Sequence, residues 1–276
     1  MNWKPFAENP RNHAKTKMVS VTVTKQNLTK TEKPDPEEWG NWAIHKKILV
    51  ILAHPDDPEF FCGATLAKWV KQGHEVHYCL LTCGDKGSND REESSDQICQ
   101  IRHKEQHAAA SVIGATSVQF LDMPDGYILP TIELRRNVVR VIRQQKPDIL
   151  VTCDPTNLFP SGSYRLNHAD HRYAGQVVLD AVFPAAGNIH FFPELFIEEG
   201  LEPHSPSEVW ISLTSNPDIT LDVTDTWEIK MRALQEHKSQ IGDPEKFAER
   251  IRNWRSADST ENEPRYEERF RLIKWD

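Results

Sequence analysis

The chain has 276 residues, 38% of them hydrophobic and 27% charged, with a formal net charge of −8, a composition that supports a real core in one large domain or two small ones. The acidic balance excludes the clustered Lys and Arg of a nucleic-acid or anionic-membrane footprint, and no apolar run reaches the roughly 18 residues a spanning helix needs. Five cysteines without a CxxC pair, and no secretory leader, predict a reduced cytoplasmic protein with neither a disulfide framework nor a Cys-ligated zinc site.

Residues 1–45 are polar and lack a sustained period apart from an alternating VSVTV at 19–23, and read as an N-terminal extension to a domain spanning 46–276. From residue 46 the pattern changes. KKILVILA (46–53) is a buried-strand run, GATLAKWVKQG (63–73) a short helix closed by Gly73, and HEVHYCLLTCG (74–84) a second strand leading into a glycine-bearing loop. Residues 96–114 repeat apolar side chains at helical spacing and end on Gly114, and SVQFLD (117–122) is a third strand. TIELRRNVVRVIRQQ (131–145) is an amphipathic helix stopped by Lys146-Pro147, followed by a fourth strand, DILVTCD (148–154). Beyond it the spacing predicts a helix over 169–183, a Pro-rich aromatic loop over 184–206, strands in EVWISLT and DITLDVT, and a helix over 226–240. Strands alternating with helices imply an α/β fold: a Rossmann-like, mostly parallel sheet with helices on both faces and right-handed crossovers.

In such sheets ligands bind beyond the carboxyl ends of strands, where the strand order reverses. If the order is 3-2-1-4, the ends of the first and fourth strands are neighbours there. The first strand runs into HPDD, with His54, Asp56 and Asp57, and the loop after the fourth carries HADHR, with His168, Asp170 and His171. Two imidazoles and a carboxylate with an open position form a catalytic zinc arrangement. His54 and Asp57 can point at one ion while Asp56 projects elsewhere as a base for a water. Either His168 or His171 can bind while the other faces the substrate, and Asp170 can orient a ring through its N–H. Asp-Asp after a strand is also a common turn or helix N-cap, and His168 with Asp170 could serve a helix start. His74, His77, His103 and His107 lack converging partners and read as structural or solvent-facing; Cys79 and Cys83 read as core. TCGDKG lacks the GxGxxG pattern of a dinucleotide site.

HPDD after a first strand and HADHR after a fourth resemble the PIG-L/LmbE family of zinc-dependent N-acetylglucosamine deacetylases, and the agreement continues through TCGDKG (82–87), RHKEQHAAASVIG (102–114), MPDG (123–126), KMRALQEHKSQ (230–240) and YEERFRLI (266–273). The resemblance implies one Zn²⁺ per chain, or another divalent metal, held by His54, Asp57 and His171. It implies Asp56 as general base, and His168 as the group that stabilises the oxyanion and protonates the leaving amine, tuned by Asp170. Arg102 and Asp125 are implied to contact the sugar, although Arg102 could equally pair with a carboxylate. His237 and Gln240 lie in a family motif, where packing or a helix-end hydrogen bond is as good a reading as catalysis. The chain departs from many relatives at Pro58 and Phe60-Phe61, on one wall of the pocket.

The expected function is therefore metal-dependent removal of acetyl from an acetamido sugar or conjugate, by a homo-oligomer of undetermined state with no nucleic-acid partner and no stable membrane insertion. The rival readings are a non-haem iron enzyme using the same two-His, one-carboxylate set, a non-catalytic sugar-binding module, and a membrane-associated enzyme on a lipid-linked sugar.

Overall fold

The computed structural model describes residues 39–160 and 166–275. In chain order β1 (Lys47–Leu52), α1 (Asp57–Lys71), β2 (Glu75–Thr82), α2 (Ser95–Ile113), β3 (Ser117–Met123), α3 (Ile132–Gln145) and β4 (Ile149–Cys153) alternate as expected. They are followed by α4 (Ala169–Asp180), α5 (Pro193–Ile197), β5 (Glu208–Ser212), β6 (Ile219–Asp222), α6 (Trp227–Gln235), α7 (Lys238–Ile241), α8 (Pro244–Arg252) and β7 (Glu267–Lys274). Among the described residues no helix is long and apolar enough to cross a membrane.

The strands form one sheet in the order β3-β2-β1-β4-β5-β7-β6. The first five are parallel, while β7 runs antiparallel to β5 and β6 antiparallel to β7. β1 is central: Ile48 pairs with Val76 of β2 on one side and with Ile149 of β4 on the other. Helices cover both faces, which is why β1 is apolar throughout rather than alternating. Ile48, Val50 and Leu52 pack with α1, α2, α6 and α8; Leu49, Ile51 and Ala53 pack with α3 and α4. The 3-2-1-4 order is present, so the ends of β1 and β4 flank the reversal point.

Four boundaries differ from the sequence reading. α1 begins at Asp57 rather than residue 63, with Pro58 in its first turn, where a missing N–H costs nothing; a non-helical Cys62 (φ −150°, ψ 16°) interrupts it and hides the earlier turn from a periodicity search. The helix expected to reach residue 183 ends at Asp180, and a π-type turn containing Pro184 follows over Ala181–Ala186. The helix expected over 226–240 breaks after Gln235, because His237 (φ −80°, ψ 57°) turns inward and is buried. The loop over 184–206 contains α5.

Residues 39–45, read as part of the extension, carry Trp42, whose ring lies 5.1 Å from Trp69 and 6.0 Å from Trp210 of the domain. The rest of that extension, with VSVTV, lies outside the described residues. The expectation of a chain without disulfides is corrected: Cys83, at the end of β2, is bonded to Cys99 on α2. The pair is 16 residues apart, and only the crossover geometry of β2 and α2 reveals it. Cys62, Cys79 and Cys153 are free and buried.

Candidate active site

The turn from β1 into α1 is built around Asp57. Its Oδ2 accepts the backbone N–H groups of Ala53 (3.1 Å) and His54 (2.9 Å), which leaves Oδ1 pointing away, 3.1 Å from His171 Nε2. Burial raises the Asp57 carboxyl, but the His171 charge and hydrogen bonds from His171 and His54 outweigh it and hold the group far below the usual carboxylate range. Asp56 takes the left-handed conformation (φ 90°), at the helix N-cap position, yet its side chain caps nothing. That removes the simple capping explanation of the Asp-Asp pair. Its carboxylate turns instead toward Arg102, Nη2 to Oδ2 3.2 Å. Burial raises the Asp56 carboxyl and Arg102 opposes the rise, leaving it above its ordinary value.

From the other lip, His168 and His171 come from the start of α4. His54 Nδ1 lies 3.3 Å from His171 Nε2 and 3.5 Å from Asp57 Oδ2. The remaining atoms of both rings are already engaged. His171 Nδ1 meets Asn167 Oδ1 at 2.9 Å, and His54 Nε2 lies 3.1 Å from Asp125 Oδ1 and 3.3 Å from Asp170 Oδ2. An N–H on each of those outer nitrogens leaves the inner nitrogens as lone pairs, facing each other and a carboxylate oxygen. Such a set is repulsive unless a proton or cation lies among the three. The 3.3 Å between the two nitrogens and the 3.1 Å from His171 Nε2 to Asp57 Oδ1 match the edge of about 3.3 Å in a tetrahedron with bonds near 2.0–2.1 Å. His54, Asp57 and His171 therefore fit a divalent cation, with Asn167, Asp125 and Asp170 holding the rings in the ligating orientation. Without a cation, burial lowers the basicity of His54, but hydrogen bonds to Asp125, Asp170 and Asp57 overturn this and raise it well above the ordinary imidazole value.

His168 caps α4. Its Nδ1 accepts the Asp170 N–H at 3.1 Å, which puts the proton of the neutral ring on Nε2. Burial, and then the charges of His54 and His171, lower its basicity. The ring stands edge-on to His54, centroids 4.7 Å apart. Asp170 was expected beside His168; its carboxylate instead meets His54 and accepts the N–H groups of Gly126 (2.7 Å) and Ile128 (3.3 Å), and it reaches His168 only through its charge.

Arg102 is buried, with Nη1 donating to the Gly84 carbonyl (3.1 Å) and Nη2 to that of Pro55 (2.6 Å). A Cβ on Gly84, whose φ is +70°, would collide with this guanidinium, which explains the glycine in TCGDKG. The structure thus gives Arg102 a carboxylate partner at the candidate base. Asp125 has its N–H on Asp85 Oδ1 (2.8 Å) and faces both His54 and the cavity. That cavity, open to solvent and about 400 Å³, is bordered by Phe60, Phe61 and Gln240 as well as by His54, Asp56, Asp57, Arg102, Asp125, His168 and His171. Phe61 sits edge-on to His171 at 5.1 Å, giving the wall formed by the Pro58–Phe61 departure an apolar surface.

Three residues escaped sequence reasoning. Gln106 Oε1 accepts the Asp56 N–H at 2.8 Å, and its amide donates to both oxygens of buried Glu59 at 3.1 Å. Glu59 in turn lies 3.1 Å from buried His237 Nε2. Nothing local marks Gln106 or Glu59, since their partners come from distant elements. Asn167 was detectable, because it precedes His171 by one helical turn.

The PIG-L pattern, described as GlcNAc-PI de-N-acetylase, matches residues 49–182. Diacetylchitobiose deacetylase of Thermococcus kodakarensis is 34% identical over 196 residues, which is 71% of this chain and 70% of that protein. The chain belongs to the PIG-L family. Within it, a Rhodococcus erythropolis 1D-myo-inositol 2-acetamido-2-deoxy-alpha-D-glucopyranoside deacetylase is 25% identical, covering 72% of this chain and 82% of its own. The solved structure of N,N'-diacetylchitobiose deacetylase from Pyrococcus horikoshii superposes with a TM-score of 0.73 at 30% identity, covering 83% of this chain and 84% of the other. The LmbE-like α/β fold is therefore shared.

Proposed function

We propose that this PIG-L protein is a zinc-dependent hydrolase that removes acetyl from an N-acetylglucosamine-containing sugar or conjugate. The observation that carries the reading is the pairing of a cation-fitting trio, His54, Asp57 and His171, with a separate carboxylate, Asp56, at one cavity. A sugar-binding module has no use for that carboxylate. The relatives' acetamido-sugar substrates support the substrate class.

A bound zinc ion would polarise the amide carbonyl and acidify a water. Asp56, its carboxyl raised by burial against the opposing charge of Arg102, accepts a proton from the attacking water. As the water oxygen bonds to the carbonyl carbon, His168 Nε2–H donates to the developing oxyanion. The proton that Asp56 accepted returns to the departing nitrogen as the C–N bond breaks. Acetate and the free amine leave. Arg102 acts on Asp56, and Asp125 is left as the carboxylate that can also reach a sugar hydroxyl.

The test is acetate release from N-acetylglucosamine, its dimer and an inositol conjugate, before and after chelation and zinc restoration. Release that chelation stops and zinc restores is expected. Release indifferent to the chelator would refute the metal, and binding of these sugars without release would favour the binding-module reading.

A further inference from the structure

The Cys83–Cys99 bond is not alone on its surface. Cys99 and His103 lie one turn apart on α2, and His103 Nε2 approaches Cys99 Sγ to 3.7 Å. Asp122 Oδ1 is 3.1 Å from the same Nε2. Two features hold these groups there. The His103 ring is stacked on Phe120 of β3, centroids 3.7 Å apart, which fixes its orientation. The β2–β3 pairing shifts between Leu80↔Phe120 and Thr82↔Met123, so β3 carries one extra residue, and Asp122 has φ 50°. A bulge of this kind redirects a side chain, and here it leaves Asp122 on the face of β3 next to α2. The expectation that His103 lacks converging partners, and that Cys83 is a plain core residue, is overturned.

A disulfide needs neither an imidazole nor a carboxylate beside it. One soft-metal donor set, by contrast, is two thiolates, an imidazole and a carboxylate within tetrahedral reach, and the ligand atoms of Cys83, Cys99, His103 and Asp122 all lie within 4.8 Å of one another. A tetrahedron with bonds near 2.3 Å to sulfur and 2.0–2.1 Å to nitrogen and oxygen has a sulfur–nitrogen edge of about 3.6 Å and a nitrogen–oxygen edge of about 3.3 Å, close to the observed separations. Opening the two sulfurs from a bond to a thiolate pair about 3.8 Å apart needs under about 2 Å of movement. Cys83 is nearly buried, while His103 and Asp122 are partly open to solvent, with side chains 29% and 60% exposed, so a cation can enter from outside.

We propose that these four residues form a second metal site, specific for a soft divalent cation such as zinc, that exists when the Cys83–Cys99 bond is reduced and is abolished when it is oxidised. A phosphine supplies two electrons and breaks the S–S bond, water giving its oxygen to the phosphine oxide and its two protons to the thiols; a dithiol does the same by passing on its own two hydrogens as it closes to a disulfide. Cation binding then releases one proton from each thiol. The site ties the loop after β2 to α2 and β3. Gly84 and Asp85 of that loop hold Arg102 and Asp125, so the tie lies one residue from groups at the candidate active site.

Cobalt(II) separates this site from the other one, because only thiolate ligands give an intense sulfur-to-cobalt charge-transfer band, and His54, Asp57 and His171 contain none. The full chain, reduced with a phosphine and titrated with cobalt without oxygen, is expected to develop the band with one equivalent at this site, and the oxidised chain to show none. Cys83→Ser with Cys99→Ser should abolish the band, and His103→Ala or Asp122→Asn, both at partly exposed positions, should weaken cobalt binding by about tenfold or more. Absence of the band in the reduced protein would overturn the proposal. So would a band that survives the double serine change, which would place the thiolates at Cys62, Cys79 or Cys153. The band is independent of acetate release, so failure of the deacetylase reading leaves this test standing.

Discussion

Replacing His237 by Ala should destabilise the protein severely, although the residue never reaches the cavity. His237 and Glu59 are both fully buried, with Nε2 and Oε2 3.1 Å apart. Burial lowers the basicity of His237, but the hydrogen bond and charge of Glu59 reverse the shift and raise it. Removing one partner of a buried pair costs about 3–5 kcal/mol, because the other charge stays buried with less to meet it. The lower end applies here, since Gln106 still donates to Glu59 in the variant, and since His237 Nδ1 already lacks a partner among the described residues. At about 3 kcal/mol and about 2–4 °C per kcal/mol, the melting temperature should fall by about 6–12 °C. Glu59→Gln combined with His237→Ala should cost less than the two changes separately, by about 0.5–3 kcal/mol in a double-mutant cycle read by denaturant unfolding. The raised basicity fixes the pH sign. The ionic part of the His237 contribution is fully present below its unfolded-state value near 6.5 and is lost as pH rises through the folded value, so the gap between wild type and variant should narrow at alkaline pH. A loss below about 1 kcal/mol, strictly additive changes, or a gap that widens with rising pH would refute the buried ion pair.

Asp56→Asn keeps the Gln106 contact to the backbone and removes the proton acceptor together with the negative charge facing Arg102, so kcat should fall by about 10²–10⁴-fold with metal content unchanged by elemental analysis. Asn167→Ala frees His171 Nδ1, and zinc affinity measured by competition with a chromogenic chelator should weaken by about 10–100-fold. Gly84→Ala forces a side chain into a φ of +70° and into the Arg102 guanidinium; thermal unfolding should show a loss of about 1–3 kcal/mol together with reduced turnover.

The sheet was legible because its physics is local. A strand buried on both faces must be apolar throughout, a helix must repeat every 3.6 residues, and Gly114 and Lys146-Pro147 stop helices by rules that need no tertiary partner. The same locality explains the errors. Periodicity misses the start of α1 because its first turn, Asp57 to Phe61, is spent on the site and its contacts rather than on an apolar stripe, and it carries the helix at 226–240 too far because His237 leaves it for Glu59, 178 residues away in sequence. His54, Asp57, His168 and His171 stood out because metal chemistry uses few residue types in short spacings. Their supports did not. Gln106 and Glu59 are 47 residues apart, and Cys83, Cys99, His103 and Asp122 come from a loop, a helix and a strand. What makes Asp57 rather than Asp56 the proposed ligating carboxylate is equally absent from the letters DD. It follows from two amides on Asp57 Oδ2, a left-handed Asp56, and a glutamine on α2 that holds the Asp56 N–H. Those supports turn a common turn dipeptide into the proposed ligand and the proposed base facing one cavity, and Asp56→Asn and Asn167→Ala separate the two roles by reading turnover in one case and metal affinity in the other.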